Sequence, residues 1–225
     1  MSRGSSRTPP AQPVHNPFRS APITAPGPDP IDDVAVPAEV RGPVLPPGAP
    51  APAGSAVLRV QGEVGPSTVS VVALHGGAGS STLTRVLAKV ANSNPGGLTM
   101  TETPAPGVIP RVGPVVLVAR TSGIGLDRAH AAAREWGSGA LPGLALLGLV
   151  FVADGPKPVS ELAPGMKRVA RMYPRTWFMP WVPAWHLVPT PSLDRPPRAT
   201  TKVARNVLTW AAERGLEPNP KEINR

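Results

Sequence analysis

The sequence predicts an α/β fold, a parallel β-sheet with helices on both faces, and three observations predict it. Three nearly continuous runs of β-branched and aliphatic residues read as strands buried on both sides: "STVSVVAL" (67–74), "PVVLVAR" (114–120) and "LALLGLVFVAD" (144–154). Segments of helical period separate these runs, which is the pattern of right-handed βαβ crossovers. The first run passes through "HGGAGSST" (75–82) straight into a helical segment. A glycine-rich turn between a strand and a helix start is the form of an anion trap at the carboxyl edge of such a sheet.

The elements follow in order. Residues 1–55 are packed with Pro, Ala, Gly and Ser and hold a single aromatic, Phe18. Such a segment cannot bury enough apolar surface to offset its ordering entropy, so it is expected to be a disordered arm with local polyproline II character. "AVLRVQGEV" (56–64) alternates and reads as an edge strand or hairpin arm, and the buried run 67–74 follows. The helix after the glycine loop, "STLTRVLAKVAN" (81–92), places Leu83, Val86, Leu87 and Val90 on one face, and "NSNPGG" stops it. Residues 92–114 are rich in loop residues, with a short strand near 98–103. The strand 114–120 leads to an alanine-rich helix over 125–139 and then to the strand 144–154. "PVSELAPGMKRVARMY" (158–173) predicts a helix broken at Pro164-Gly165. "RTWFMPWVPAW" (175–185) predicts a short strand with a proline-rich exit, and 199–215 a final amphipathic helix. One α/β domain over 56–214 and a flexible tail over 215–225 complete the expected organisation.

Composition narrows the functional classes. The chain has no cysteine, which excludes disulfides and thiolate zinc sites, and its four histidines lack metal-ligand spacing. Arg3 and Arg7 are followed by no apolar run, so a secretory signal is not expected. The longest apolar run, 140–153, is too short and interrupted to span a bilayer, and a cytoplasmic location is expected. The formal net charge is +9, with many cations late in the chain, among them Lys167, Arg168 and Arg171. They form either a solubilising surface or a site for nucleic acid or anionic lipid.

The loop itself carries the functional question. An ordinary phosphate loop, G-x4-G-K-[ST], does not fit, because Leu74 stands where its first glycine belongs. "HGGAGSST" instead resembles the deviant loop of the ParA/MinD-type ATPases, K-G-G-x-G-K-[ST]-[ST], with His75 and Ser80 in place of the two lysines. "LTRVLA", "VVLVARTSGIGLDRAHAAAREW" and "LLGLVFVAD" are similar to later pieces of those proteins, so the resemblance covers about 67–154. It implies a truncated P-loop NTPase-like sheet that takes ATP or GTP with Mg2+. Its cofactor-binding residues would be His75, Gly76, Gly77, Ala78, Gly79, Ser80, Ser81 and Thr82, with Asp154 at the strand end that approaches the base. More closely, the block from "LHGGAGSSTL" to "RTWFMPWVPAW" resembles a poorly characterised actinobacterial family described only as P-loop-like and associated loosely with conjugative or secretion-type gene clusters.

Two departures qualify what the resemblance implies. A charge-assisted hydrogen bond contributes about 1.5–3 kcal/mol, so loss of a lysine weakens phosphate binding roughly ten- to a hundredfold and removes neutralisation of a phosphoryl-transfer transition state. In addition, only the short segment between the first helix and "PVVLVAR" stands where the family has an aspartate-ended strand, and its sole acid is Glu102. Arg120, at the end of its strand, either reaches over the loop in place of the lysine or points into solvent. His75 either contacts a phosphate or is structural. Ser81 or Thr82 either ligates magnesium or caps the helix. Trp177, Trp181 and Trp185 recur every fourth residue and form a core lid, a partner-docking ridge or a stacking surface for single-stranded nucleic acid. No G-x-S-x-G turn surrounds a serine, so Ser80, His130 and Asp127 do not make a hydrolase triad. The expected function is a non-hydrolysing or weakly nucleotide-binding adaptor for a DNA-transfer, partition or secretion machine. The protein partner would dock on the tryptophans or the N-terminal arm. An active NTPase and a basic nucleic-acid-binding protein are the alternatives.

Overall fold

A computed structural model describes residues 39–50, 56–65, 67–92, 98–187, 192–193 and 195–214. The central sheet has six strands: β1 (Glu39–Arg41), β3 (Thr68–Ala73), β4 (Thr99–Glu102), β6 (Gly113–Arg120), β7 (Leu144–Val152) and β8 (Arg175–Met179). Their spatial order is β1-β8-β7-β6-β3-β4, and all pairs are parallel except β1 with β8. A separate parallel pair joins β2 (Arg59–Val60) to β5 (Val108–Ile109). Of the segment 56–64 only Arg59–Val60 is strand, and its parallel pairing outside the main sheet makes it neither an edge strand of that sheet nor a hairpin arm.

Helices connect the parallel strands as the hydrophobic periods require. Helix α1 (Ser80–Ala91) links β3 to β4, α2 (Gly123–Gly137) links β6 to β7, and α3 (Ala163–Ala170) links β7 to β8. Helix α4 (Arg198–Glu213) follows β8. Alternate residues of each strand face opposite layers. Val116 and Val118 pack with Leu83, Leu87, Val203 and Val207 under α1 and α4. Val115, Leu117 and Ala119 pack with Ala129, Ala132, Trp136 and Val169 under α2 and α3. Helices therefore cover both faces.

Three expectations need correction. Residues 39–50 fall inside the segment expected to be a disordered arm, yet Glu39–Arg41 pair with β8, and the Ala49 amide donates to the Gly137 carbonyl at the end of α2 (2.9 Å). The strand is held by backbone pairing along β8 and by the Gly42 amide donating to the Pro174 carbonyl (3.2 Å), and Glu39 adds an ion pair with Arg175 at 3.1 Å. The remainder of that arm, and the tail over 215–225, lie outside the described residues. Pro164-Gly165 does not break a helix. A 3₁₀ turn (Ser160–Leu162) precedes it, and Pro164 sits in the first turn of α3, where its missing N–H removes no helical bond. The three tryptophans do not form one ridge. The strand ends at Met179 and the chain enters a second 3₁₀ turn (Pro183–His186), so Trp177 is fully buried under α4 while Trp181 and Trp185 lie beyond the strand and are partly buried.

Among the described residues, no helix is long and apolar enough to cross a membrane.

Candidate functional site

In chain order the parallel strands are β3, β4, β6, β7 and β8, but in space β4 lies on one side of β3 and β6 on the other. The order therefore reverses between β3 and β6, and the crevice at the carboxyl ends of two such strands is where open α/β sheets bind ligands. The residues leaving those two strands are His75 and Arg120.

The loop between β3 and α1 turns on two glycines. Gly77 has φ +72° and Gly79 φ +94°, both in the left-handed region that side chains disfavour, and Gly79 is the residue capping α1. Leu83 N–H donates to the Gly79 carbonyl (2.9 Å), the first helical bond. The amides ahead of it are those a helix leaves for an external acceptor. The loop lines a cleft of about 450 Å³ bounded also by Glu102, Thr103 and Arg120. Gly76 and Ala78 complete the turn, in which Ala78 N–H donates to the His75 carbonyl (3.3 Å).

Arg120 bends over this loop. Its Nε donates to the Gly77 carbonyl (3.0 Å) and its Nη1 to the Ala153 carbonyl (3.2 Å). Asp154 stands 3.6 Å from the same Nη1, and the Asp154 amide donates to Thr121 Oγ1 (2.9 Å). The guanidinium thus braces the loop against the end of β7. His75 accepts the Arg120 amide proton at Nε2 (3.1 Å), which assigns the other proton position, Nδ1, to the Gly76 carbonyl (2.9 Å). These two bonds tie His75 to the turn and to β6, and the residue also lines the cleft.

Glu102 is the residue the sequence undervalued. It ends β4, next to β3, and its Oε1 accepts from Ser80 Oγ (2.5 Å) and Ser81 Oγ (2.9 Å). The helix-cap alternative for Ser81 and Thr82 does not describe the structure, because α1 starts at Ser80 and its cap residue, Gly79, has no side chain. Ser81 and Glu102 together offer two hard oxygen donors. That set suits magnesium only if phosphate oxygens complete the shell, since no cluster of three His, Asp or Glu side chains occurs among the described residues.

A smaller cavity of about 100 Å³ adjoins the loop on the side of β7 and β8. Its lining includes Gly79, Thr82 and Arg120 together with Trp181, Trp185 and His186 from the segment after β8. The Trp181 and His186 rings stack with centroids 3.4 Å apart. Slight desolvation, and then the Arg120 guanidinium, hold the His186 imidazole below its ordinary range, while Asp154 pulls the other way. Lys167, Arg168 and Arg171 are exposed on and just after α3, away from this cleft's lining.

Fold and site together define an α/β protein with a lysine-free, glycine-rich strand-to-helix loop at the topological switch point. The chain belongs to a family of unknown function, DUF6668, whose pattern matches residues 67–207. No curated protein and no solved structure matches it. The matched span runs from the start of β3 into α4 and so contains every site residue described above.

Proposed function

We propose that this protein is a degenerate ParA/MinD-like phosphate-loop protein that holds a nucleotide weakly, does not turn it over, and serves as an accessory or adaptor for a DNA-transfer, partition or secretion machine. The observation that carries this reading is the charge balance around the loop. Arg120 is the one permanently cationic side chain lining the cleft among the described residues, and Asp154 already faces it at 3.6 Å. Glu102 adds a second carboxylate. The loop keeps the backbone of an anion cradle while its side chains contribute no net positive charge. Helix-terminal amides can still hold a phosphate, but without the roughly 1.5–3 kcal/mol of each missing charge-assisted bond.

Thermal-shift titration with ATP, GTP and their diphosphates, with and without magnesium, tests the reading. The expected result is a small stabilisation at high ligand concentration, lost in Gly79→Asp, with no phosphate release. Hydrolysis at a steady rate would overturn it.

One observation favours the NTPase alternative, namely the Ser81–Glu102 contact. A magnesium ion arriving with a nucleotide would be held there and would neutralise phosphate charge. In that case phosphate release is magnesium-dependent and disappears in both Gly79→Asp and Glu102→Gln.

A further inference from the structure

The segment after β8 returns to the loop it follows by a hundred residues in sequence. Met179 ends the strand, Pro180 and Pro183 direct the turn, and the 3₁₀ turn carries His186 to the cavity that Gly79, Thr82 and Arg120 also line. The imidazole is held flat against the Trp181 indole, with only 11° between the planes. The residue is otherwise exposed, so this stacking is what orients the ring toward the cavity before a ligand arrives. The charged groups it meets are Arg120 from the end of β6 and Asp154 from the turn after β7.

We infer that His186 is a switchable cation of the smaller cavity adjoining the phosphate loop, drawing one proton from solvent as a tetrahedral dianion enters that cavity beside Gly79 and Arg120. This inference rests on the phosphate-cradle reading above and names its regulation. The physical reason is the local charge sum. Without ligand, the slight desolvation of this largely exposed ring, and then the Arg120 guanidinium, favour its neutral form against the pull of Asp154. A dianion reverses that field, so protonation and binding favour each other by linkage, each raising the other's affinity by the same factor. The residue then restores, below neutral pH, part of the cation that the loop lacks.

The test is isothermal titration of the full chain with sulfate, whose charge is constant between about pH 5 and 8, and in parallel with ATP. Wild-type affinity is expected to tighten as pH falls, by up to about tenfold per pH unit, with one proton taken up in buffers of different ionisation enthalpy. His186→Gln is expected to bind as wild type does at the alkaline end, where the ring is neutral, and about tenfold more weakly than wild type at the acidic end. His75→Gln is expected to keep the slope. A slope retained in His186→Gln, or absent from wild type that still binds, overturns the role of His186 and leaves the cradle standing. Failure of folded wild type to bind either probe at any pH overturns both.

Discussion

Tyr173 shows how much a single buried polar atom can be made to do. The residue is fully buried and its hydroxyl donates to the Ala129 carbonyl on α2 at 2.5 Å. Burial, and secondarily the charge of Glu135, push the phenol well above its ordinary range. Because the folded value exceeds the unfolded one of about 10, the contribution is complete below that pH and is lost as pH rises through the folded value. Tyr173→Phe should cost about 1 kcal/mol at neutral pH and flatten the alkaline limb of stability, as measured by urea unfolding at neutral and alkaline pH. Glu135 is buried, and its two carboxyl oxygens accept the amide protons of Val57 and Leu58, so both are partnered in the interior. At this scale the loop glycines were legible, because a strand, a turn and a helix are all local features. Glu102 and His186 were not. Glu102 meets Ser81 only through pairing of β4 with β3, and His186 meets the loop only because two prolines and a 3₁₀ turn fold it back. Neither distance is written in a sequence window.

Among the elements, α4 is held by a defect in the sheet. The register of β6 against β7 steps from Val115–Leu146 to Val116–Gly148, leaving Leu147 as the extra residue of a bulge. The Leu147 carbonyl accepts the indole N–H of Trp210 from α4 (2.9 Å), and the Arg175 guanidinium lies 4.0 Å from the centre of the same ring. Arg175 also pairs with Glu213 at 3.2 Å and with Glu39 at 3.1 Å, tying α4, β8 and β1 together. Trp210→Phe keeps most of the ring's apolar surface and deletes the donor, so it should destabilise by about 1 kcal/mol, seen as a lower urea midpoint with unchanged slope. Strand and helix types were legible from period alone: "STVSVVAL" and "PVVLVAR" are buried strands, and Leu83, Val86, Leu87 and Val90 all point inward. The three residues of β1 were not, because a short strand inside a proline-rich run has no period to read. Its evidence is backbone pairing with β8, far along the chain.

At the scale of the whole molecule, the chain carries a net charge of +9, and among the described residues two groups of its cations lie on opposite sides of the sheet. Lys167, Arg168 and Arg171 are exposed beside the face covered by α2 and α3, whereas Arg198, Lys202 and Arg205 are exposed on α4, across the sheet. A field spread in this way favours diffuse contact with a polyanion over a single docking track. Under the nucleic-acid alternative, fluorescence anisotropy with duplex DNA shows binding that weakens steeply with added salt, and no binding at low salt removes that alternative. Neutralising Lys167, Arg168 and Arg171 together should lower the salt slope by at most about 3 without abolishing binding; complete loss would identify that triplet as a dedicated site. The sheet's strand order was legible only as a class. Period and βαβ logic imply parallel strands, but which strand neighbours β3 is fixed by long-range packing.

The position of α4 has a consequence for how the chain is made. Val150, Trp177 and Met179 lie beneath it, and it supplies Val203, Ala204 and Val207 to the same layer. During synthesis five parallel strands emerge from the ribosome before the helix that roofs that half of the sheet. Until the indole at 210 reaches the kink in β7, the nascent domain shows bare aliphatic surface to its surroundings, and that interval is when a chaperone has something to hold.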